Sequence, residues 1–311
     1  MAGNVYVALQ QFCESNDTPR RILREAGLNV TENSLGRRLK PEEMADLLAE
    51  AEAVLAGVEP YDAQLLEQLP KLKCISRCGA GTDSVDLEAA RKRGVTVLTT
   101  PDEVSQPVAE LTLGMILALA RGFPQSVRNF DARKWSKQTG FLLSEWTIGL
   151  VGFGRIGRTV ERLLRPMGPR ILACDPFVRP EELPPGLRAV TLEELLAQSD
   201  LVSLHLSRRP EEGPLLSEKE IQRMKRGSFL VNTARGYLVD EQALSEGLVS
   251  GQVAGAALDV FGKEPYDGPL AKMPQVLCTP HVATLTRASR AAMELRCAKN
   301  VAEWYNLRQP R

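Results

Sequence analysis

A chain of 311 residues, 43% hydrophobic and 25% charged, has enough apolar material for about two globular domains. Its 39 basic and 39 acidic side chains cancel, which removes any global electrostatic reason to bind nucleic acid or an anionic membrane. Affinity for an anion must therefore come from local sites. The longest apolar run, Leu111–Ala120, is interrupted by Thr112 and Gly114 and is too short to cross a bilayer. The opening MAGNVYVALQQF lacks the basic and long apolar segments of a secretory signal. Six cysteines at 13, 74, 78, 174, 278 and 297, with only two histidines, form no CxxC or Cys/His cluster, so no metal site is expected and the thiols should be reduced. Together these features predict a cytoplasmic protein with neither nucleic acid nor membrane as partner.

Short apolar runs alternate with amphipathic stretches, the rhythm of parallel α/β architecture. In the first region, strands are expected at Val5–Leu9, Ala53–Leu55, Leu72–Ser76 and Thr96–Leu98. Helices are expected near Pro19–Ala26, Pro41–Ala51 and Leu87–Arg93, the last stopped by Gly94. Thr99-Thr100-Pro101 looks like a crossing to a second region. Pro107 then suits the first turn of a helix through Leu119, with Gly122 and Pro124 as breakers. Apolar residues cover most of that helix, so it should be buried between domains or subunits.

From residue 147 onward the alternation is regular. Strands are expected at Thr147–Val151, Arg170–Asp175, Leu201–Leu206, Phe229–Thr233, Ala254–Val260 and Val276–Thr279. Thr191 with Glu194, and Ser217 with Glu220, have capping-box spacing, and Asp240 is placed to cap a helix ending before Gly251. A last amphipathic helix, Ala288–Tyr305, is positioned to return to the first region and make it discontinuous in sequence.

Gly152-Phe153-Gly154-Arg155-Ile156-Gly157 lies between the strand Thr147–Val151 and a helical stretch, Arg158–Met167. That context turns a weak glycine pattern into a dinucleotide-binding turn. Gly152 permits the tight bend, Gly154 lets backbone approach a pyrophosphate, and Gly157 allows close helix–strand packing. The helix N-terminus offers unpaired N–H groups and partial positive charge to phosphates. Asp175 ends the following strand 18 residues beyond Gly157, near the spacing of an acid that accepts from ribose hydroxyls and repels a 2′-phosphate. Pro176 and Phe177 follow it, so NAD is the expected cofactor, with Arg179 the residue most able to favour NADP.

A dinucleotide turn that begins at 152, behind a separate α/β region, resembles the D-2-hydroxyacid dehydrogenase family, and further motifs extend the likeness along nearly the whole chain. They are Arg77-Cys78-Gly79-Ala80-Gly81-Thr82-Asp83, Val108-Ala109-Glu110-Leu111-Thr112, Val231-Asn232-Thr233-Ala234-Arg235-Gly236, Ala257-Leu258-Asp259-Val260-Phe261-Gly262-Lys263-Glu264-Pro265 and Thr279-Pro280-His281-Val282-Ala283-Thr284. The resemblance implies a doubly wound Rossmann cofactor domain, residues 100–285, and a smaller flavodoxin-like α/β substrate domain, residues 1–99 with 286–311. It also implies a cleft between them, hinges near 99–101 and 282–287, and a homodimer built on the Val108–Leu119 helix and an arm through Trp135 and Trp146.

Each implied role has a chemical reason. Interconverting a 2-hydroxy and a 2-oxo acid moves a hydride at carbon 2 and a proton at its oxygen, and histidine is suited to that proton near neutral pH. His281 is the implied acid/base, and Glu264 would orient its ring and favour its protonated form. Arg235 would grip the substrate carboxylate, joined by backbone amides of Gly79, Ala80 and Gly81. The family also places Thr233, Ala234 and the backbone near Arg235 at the nicotinamide ribose, Asp259 at the carboxamide end and His205 near the cofactor ribose. Thr100 would reach the phosphates. Cys78 reads as packing, since no histidine partner marks it as a nucleophile.

Within the family, Arg77 and the segment 77–87 are most similar to the phosphoglycerate dehydrogenases. Arg77 there would bind a phosphate or second acidic group, with a structural salt bridge as the alternative. At this length, the regulatory domains of some such enzymes, and the serine feedback they give, are not expected. Ser207-Arg208-Arg209 and Tyr237 depart from the family pattern and leave the choice of 2-hydroxy acid open. Two other readings share the motifs: an NAD(H)-sensing corepressor, and a phosphite or formate dehydrogenase.

Overall fold

The computed structural model describes residues 3–207 and 210–308. The chain opens with β1 (Gly3–Val7), α1 (Thr18–Glu25), β2 (Leu28–Glu32), α2 (Pro41–Leu47) and β3 (Ala53–Ala56). Then come α3 (Ala63–Gln68), β4 (Cys74–Arg77), α4 (Leu87–Lys92) and β5 (Thr96–Leu98). The middle of the chain holds α5 (Ser105–Ala120), α6 (Phe123–Asp131), β6 (Thr147–Val151), α7 (Arg155–Leu164), β7 (Arg170–Cys174), β8 (Arg188–Ala189) and α8 (Leu192–Gln198). It continues through β9 (Leu201–Leu204), α9 (Glu218–Arg223), β10 (Ser228–Asn232), α10 (Glu241–Ser250), β11 (Val253–Leu258), β12 (Val276–Cys278) and the long α11 (Arg287–Asn306).

Two compact units result. One runs to Val104 and resumes at Leu285, and the other is Ser105–Thr284. The first crossing thus lies a few residues beyond the expected 99/100. Val104 is buried among Cys78, Met293 and Cys297, and the Glu103 carbonyl accepts from Ser289 Oγ at 3.0 Å, which ties this segment to the first unit.

The first unit is a parallel sheet in the order β2-β1-β3-β4-β5, the flavodoxin-like arrangement. Side chains alternate across it with period two. Val5, Val7, Cys74 and Cys78 join one core with Leu23 of α1 and Met293, Cys297 and Val301 of α11. Tyr6, Val54 and Ile75 join the other with Met44 of α2 and Leu66 of α3. Burying each such aliphatic side chain contributes roughly 1.5–3 kcal/mol, so α11 is integral to this unit. β2 and α3 escape the sequence reading. LNVTE has two apolar residues because it is an edge strand with one covered face, and α3 is a six-residue helix capped by Asp62, which accepts from Leu65 N at 2.8 Å.

The second unit is a parallel sheet in the order β12-β11-β10-β9-β6-β7-β8, the doubly wound dinucleotide-fold order, with its switch between β9 and β6. Ile148 and Leu150 face α5 and α7, through Met115, Ile116, Val160 and Leu164. Gly149 faces Leu195 of α8, where a Cβ would collide. α5 packs within its own unit against α7 and the sheet, with Leu117 exposed and Leu111 and Leu113 half-buried on its remaining face. Trp146 likewise stacks on Phe229 at 5.1 Å inside this core, whereas Trp135 is exposed. Pro124 does not break structure: Gly122, in the left-handed region, ends one helix and Pro124 sits in the first turn of the next, α6. Thr191 and Asp240 cap α8 and α10 as expected.

Candidate active site

The candidate site grows from the C-terminal ends of neighbouring parallel strands of the second unit, where such sheets place their ligands. At the end of β6, Gly152 has φ +94° and its N–H donates to the Cys174 carbonyl at 2.8 Å. A Cβ there would also sit 2.5 Å from the His205 carbonyl oxygen, so both conformation and space require glycine. A Cβ on Gly157 would run into the Gly152 carbonyl, which fixes how closely α7 approaches the turn. Gly154 differs: a Cβ would meet no atom within 4 Å, although Gly154 is the N-cap of α7 and has no side chain to cap it. Protein packing does not require this glycine. An open backbone face beside a helix N-terminus is what a pyrophosphate requires, so the residues present fit a dinucleotide. Arg155 and Ile156 form the first turn of α7 at the same place.

Asp175 follows β7. Its Oδ2 accepts from Phe153 N at 2.7 Å and its Oδ1 from Phe177 N at 2.9 Å. The carboxylate thus braces the glycine turn and still has acceptor capacity for ribose hydroxyls. Arg179 lies 3.6 Å from Glu181 with both side chains largely exposed. His205 is buried behind the turn. Its Nε2 pairs with Ser203 Oγ at 2.9 Å, Nδ1 finds no partner among the described residues, and burial pushes the imidazole down to about 3. Its backbone is what abuts Gly152, so His205 supports the turn from within. Of the departing stretch that follows, residues 208 and 209 lie outside the described residues.

Beyond β10, Asn232 organises the turn that carries Arg235. Its Oδ1 accepts from Ala234 N at 3.0 Å and its Nδ2 donates to the Arg235 carbonyl at 2.8 Å. Arg235 Nη1 donates to the Ala234 carbonyl at 2.7 Å. Thr233 is buried with its hydroxyl 2.8 Å from that of Thr112 on α5, and Thr112 donates its own proton to the Val108 carbonyl. Thr233 must therefore be the donor in the pair, leaving its oxygen only as an acceptor toward anything else. A Cβ on Gly236 would run into the Phe261–Gly262 backbone, so the arginine turn is seated directly on the acid motif. Tyr237 packs its ring against the core beneath α10.

The acid and histidine motifs interlock. His281 Nδ1 lies 2.8 Å from Glu264 Oε2, and Glu264 Oε1 accepts from Phe261 N at 3.2 Å. With Nδ1 on the carboxylate, Nε2 is the nitrogen left to exchange a proton. His281 holds a left-handed backbone, φ +53°, uncommon for a side chain of its kind. What holds it there is Asp259, fully buried, whose carboxylate accepts from Thr279 Oγ1 at 2.5 Å, Val282 N at 2.9 Å and Ala283 N at 3.0 Å, while its carbonyl accepts from His281 N at 2.9 Å. The carboxylate expected at a carboxamide is thus committed to the loop that carries His281.

The remaining expected residues belong to the first unit. Arg77 folds its guanidinium back across Gly79, where a Cβ would strike it, and Nη1 donates to the Cys78 carbonyl at 2.7 Å. Through that bond it shapes its own loop. Thr100 is fully buried: its Oγ1 accepts from Gly79 N at 2.8 Å and its N–H donates to the Gly79 carbonyl at 3.0 Å. That reciprocal pairing ties Thr100 to the glycine loop. Ala80, which follows, is exposed and Gly81 is half-buried.

Sequence reasoning passed over Asn232 and Thr112, though both lie inside quoted motifs. The signal for Asn232 was an amide two residues before a turn, able to serve a donor and an acceptor together.

A glycine turn at a helix N-terminus with an acid braced beside it fits a dinucleotide, and a carboxylate–histidine pair and an arginine follow strands of the same sheet. Residues 113–283 match the family model described as "D-isomer specific 2-hydroxyacid dehydrogenase, NAD binding domain". The chain belongs to this family, and its second unit is the NAD-binding domain. It is 36% identical over 288 residues to human D-3-phosphoglycerate dehydrogenase, covering 91% of this chain and 53% of that one. The chain thus spans about half the length of the curated relatives it matches. Among solved structures, the TT0316 protein of Thermus thermophilus superimposes with a TM-score of 0.87 at 34% identity, over 99% of this chain and 98% of that one. The D-lactate dehydrogenase of Aquifex aeolicus, complexed with NAD and lactic acid, does so with a TM-score of 0.84 at 27% identity, over 98% and 96%.

Proposed function

We propose that this chain interconverts a D-2-hydroxy acid and its 2-oxo acid with NAD(H). The observation that carries the reading is the His281–Glu264 pair at 2.8 Å, positioned by a buried carboxylate at the same sheet edge as the dinucleotide turn. Bound NAD(H) supplies the hydride acceptor or donor. In the reducing direction His281 Nε2 gives a proton to the 2-oxygen, and Glu264 on Nδ1 stabilises the cationic ring before that transfer and restores its orientation after it. Arg235 holds the substrate carboxylate by charge-assisted hydrogen bonds and draws electron density from the 2-oxo group. In the first unit the amides of Ala80 and Gly81 are the loop's proposed anion donors, the Gly79 N–H being given to Thr100. Gly152, Gly154, Arg155, Ile156 and Gly157 receive the pyrophosphate and Asp175 the ribose. Thr233 and Ala234 border the nicotinamide.

3-Phosphohydroxypyruvate is the first substrate to test, because human D-3-phosphoglycerate dehydrogenase shares 36% of aligned residues. The enzyme is proposed to be a cytoplasmic homodimer. Among the described residues no helix is long and apolar enough to cross a membrane. Phe123, Val127, Phe130 and Trp135 are exposed on α6 and the segment after it, an apolar surface that a second copy would cover. The test is a panel of 3-phosphohydroxypyruvate, hydroxypyruvate, glyoxylate and pyruvate with NADH and NADPH in parallel. Turnover with NADH supports the reading. Tight NADH binding without turnover of any acid would replace it with a nucleotide-sensing role.

A further inference from the structure

The arginine turn, the acid motif and α10 meet around one peptide unit, Phe261–Gly262. Gly236, which follows Arg235, packs so closely on it that a Cβ would strike the Phe261 carbonyl group. Glu241, the half-buried first residue of α10, takes the same unit by its amide: its Oε1 accepts from Gly262 N at 2.8 Å. Gly236 and Glu241, close in sequence, therefore hold a single peptide between them. The Phe261 ring is fixed as well, stacked on Tyr266 with centroids 4.1 Å apart.

The position of Glu264 depends on this peptide. The Glu264–His281 pair is not enclosed, its side chains being 38% and 50% exposed, and an ion pair so open to solvent holds its own geometry weakly. Besides His281, among the described residues the carboxylate is bonded to Phe261 N, at a long 3.2 Å. Its orientation is thus only as firm as the backbone at Phe261.

We propose that Glu241 is a positioning residue for the proton chemistry: by holding Gly262 N it fixes the Phe261–Gly262 peptide, and through Phe261 N the orientation of Glu264 toward His281. A purely structural Glu241 would satisfy one loop amide and place a favourable negative charge in the first turn of α10. Its loss would then lower stability and leave the histidine titrating as before. The positioning role differs at His281. Without Glu241 the Gly262 amide turns to solvent, the loop samples other orientations, and Glu264 spends part of its time away from Nδ1. The imidazolium then loses its carboxylate partner, and an opposite charge at hydrogen-bond distance moves a titration by about 1–3 units. Tyr266 and Cys278 are the other titratable groups near the Glu241 charge, and both belong to the surroundings of the acid loop. The kinetic consequence rests on the dehydrogenase reading, but the effect on the imidazole does not.

The experiment compares the unaltered protein with Glu241→Ala and Glu241→Gln by NMR titration of the imidazoles. The chain has only two histidines, and His281→Ala assigns their signals. The proposal expects the His281 midpoint to fall by about one unit in Glu241→Ala, a tenfold loss of the protonated form above it. In Glu241→Gln the amide oxygen still accepts from Gly262 N, so the midpoint should move by less than about half a unit. Above the midpoint, kcat for 2-oxo-acid reduction should fall about tenfold in Glu241→Ala, with NADH affinity unchanged. An unmoved His281 titration in Glu241→Ala would overturn the proposal, as would an equal shift in Glu241→Gln, which would make charge rather than anchoring the cause. Should Glu241→Ala not fold, amide exchange on the unaltered protein decides: slowed exchange at Gly262 N–H supports the anchor, and the rate of an open peptide refutes it. A protein that shows the expected titrations yet reduces no 2-oxo acid would defeat the dehydrogenase reading alone.

Discussion

Replacing Asp259 with asparagine probes the support on which the proposed proton chemistry stands. In the native protein three donors converge on its fully buried carboxylate: Thr279 Oγ1 and Val282 N on one oxygen, Ala283 N on the other. The amide can place its oxygen toward the first pair, but its NH2 then faces the Ala283 N–H, donor against donor. An unsatisfied buried donor costs about 1–3 kcal/mol. The two bonds that remain lose charge assistance, which roughly halves their strength, while relief from burying a charge offsets part of the loss. A net destabilisation of about 2–4 kcal/mol follows. The site should lose more than the fold as a whole, because His281 sits at φ +53° on the freed loop. If the productive loop conformer becomes disfavoured by about 2 kcal/mol, kcat falls roughly thirtyfold. Urea unfolding, NADH titration and steady-state kinetics on Asp259→Asn measure these separately. A variant within about 0.5 kcal/mol of wild type that keeps at least half its kcat would refute the positioning argument.

His281→Ala should lower kcat by roughly 100- to 10,000-fold, the usual worth of a general acid or base, with NADH binding retained; near-normal turnover removes it from the reaction. Gly154→Ala should leave stability within about 1 kcal/mol of wild type, since its site is open and its φ is ordinary, yet weaken NADH binding. Gly152→Ala should lose both, and equal behaviour of the two in titration and unfolding would undo the distinction drawn between them. Burial pushes His205 down to about 3, so below its unfolded value of about 6.5 the unfolded chain takes up a proton that the native state refuses. The stability lost this way on going from about pH 7 to about pH 5 is about 2 kcal/mol, absent in His205→Gln, and identical shifts in urea midpoint for both proteins would count against it.

Much of the fold was legible because its signals are local. Glycine turns, the caps Thr191 and Asp240 and the buried parallel strands declare themselves within a few residues. What escaped depends on partners distant in sequence. β2 exists because β1 supplies its ladder, not because LNVTE is strongly apolar. Apolar residues nearly encircle α5, and only α7 and the sheet show where most of them go. Val104 belongs to the first unit through Met293 and Cys297, almost two hundred residues away. The same holds at the site. Residue types named the histidine, its carboxylate and the arginine, since the chemistry restricts them. Residue types could not show that Thr100 serves Gly79, that Arg77 folds onto its own loop, or that Asp259 holds His281, because each is a matter of which donor reaches which acceptor.

The central claim is that a hydride passes between carbon 2 of an acid and nicotinamide, with His281 handling the proton. Incubation of the protein with C4-deuterated NADH, of either stereochemistry, and the four 2-oxo acids tests this most directly, followed by mass and chiral analysis of the product. The account predicts a D-2-hydroxy acid carrying deuterium at carbon 2 from one of the two NADH isotopomers, lost in His281→Ala. Stoichiometric NADH binding with no label delivered to any acid, or label delivery undiminished in that variant, would contradict it.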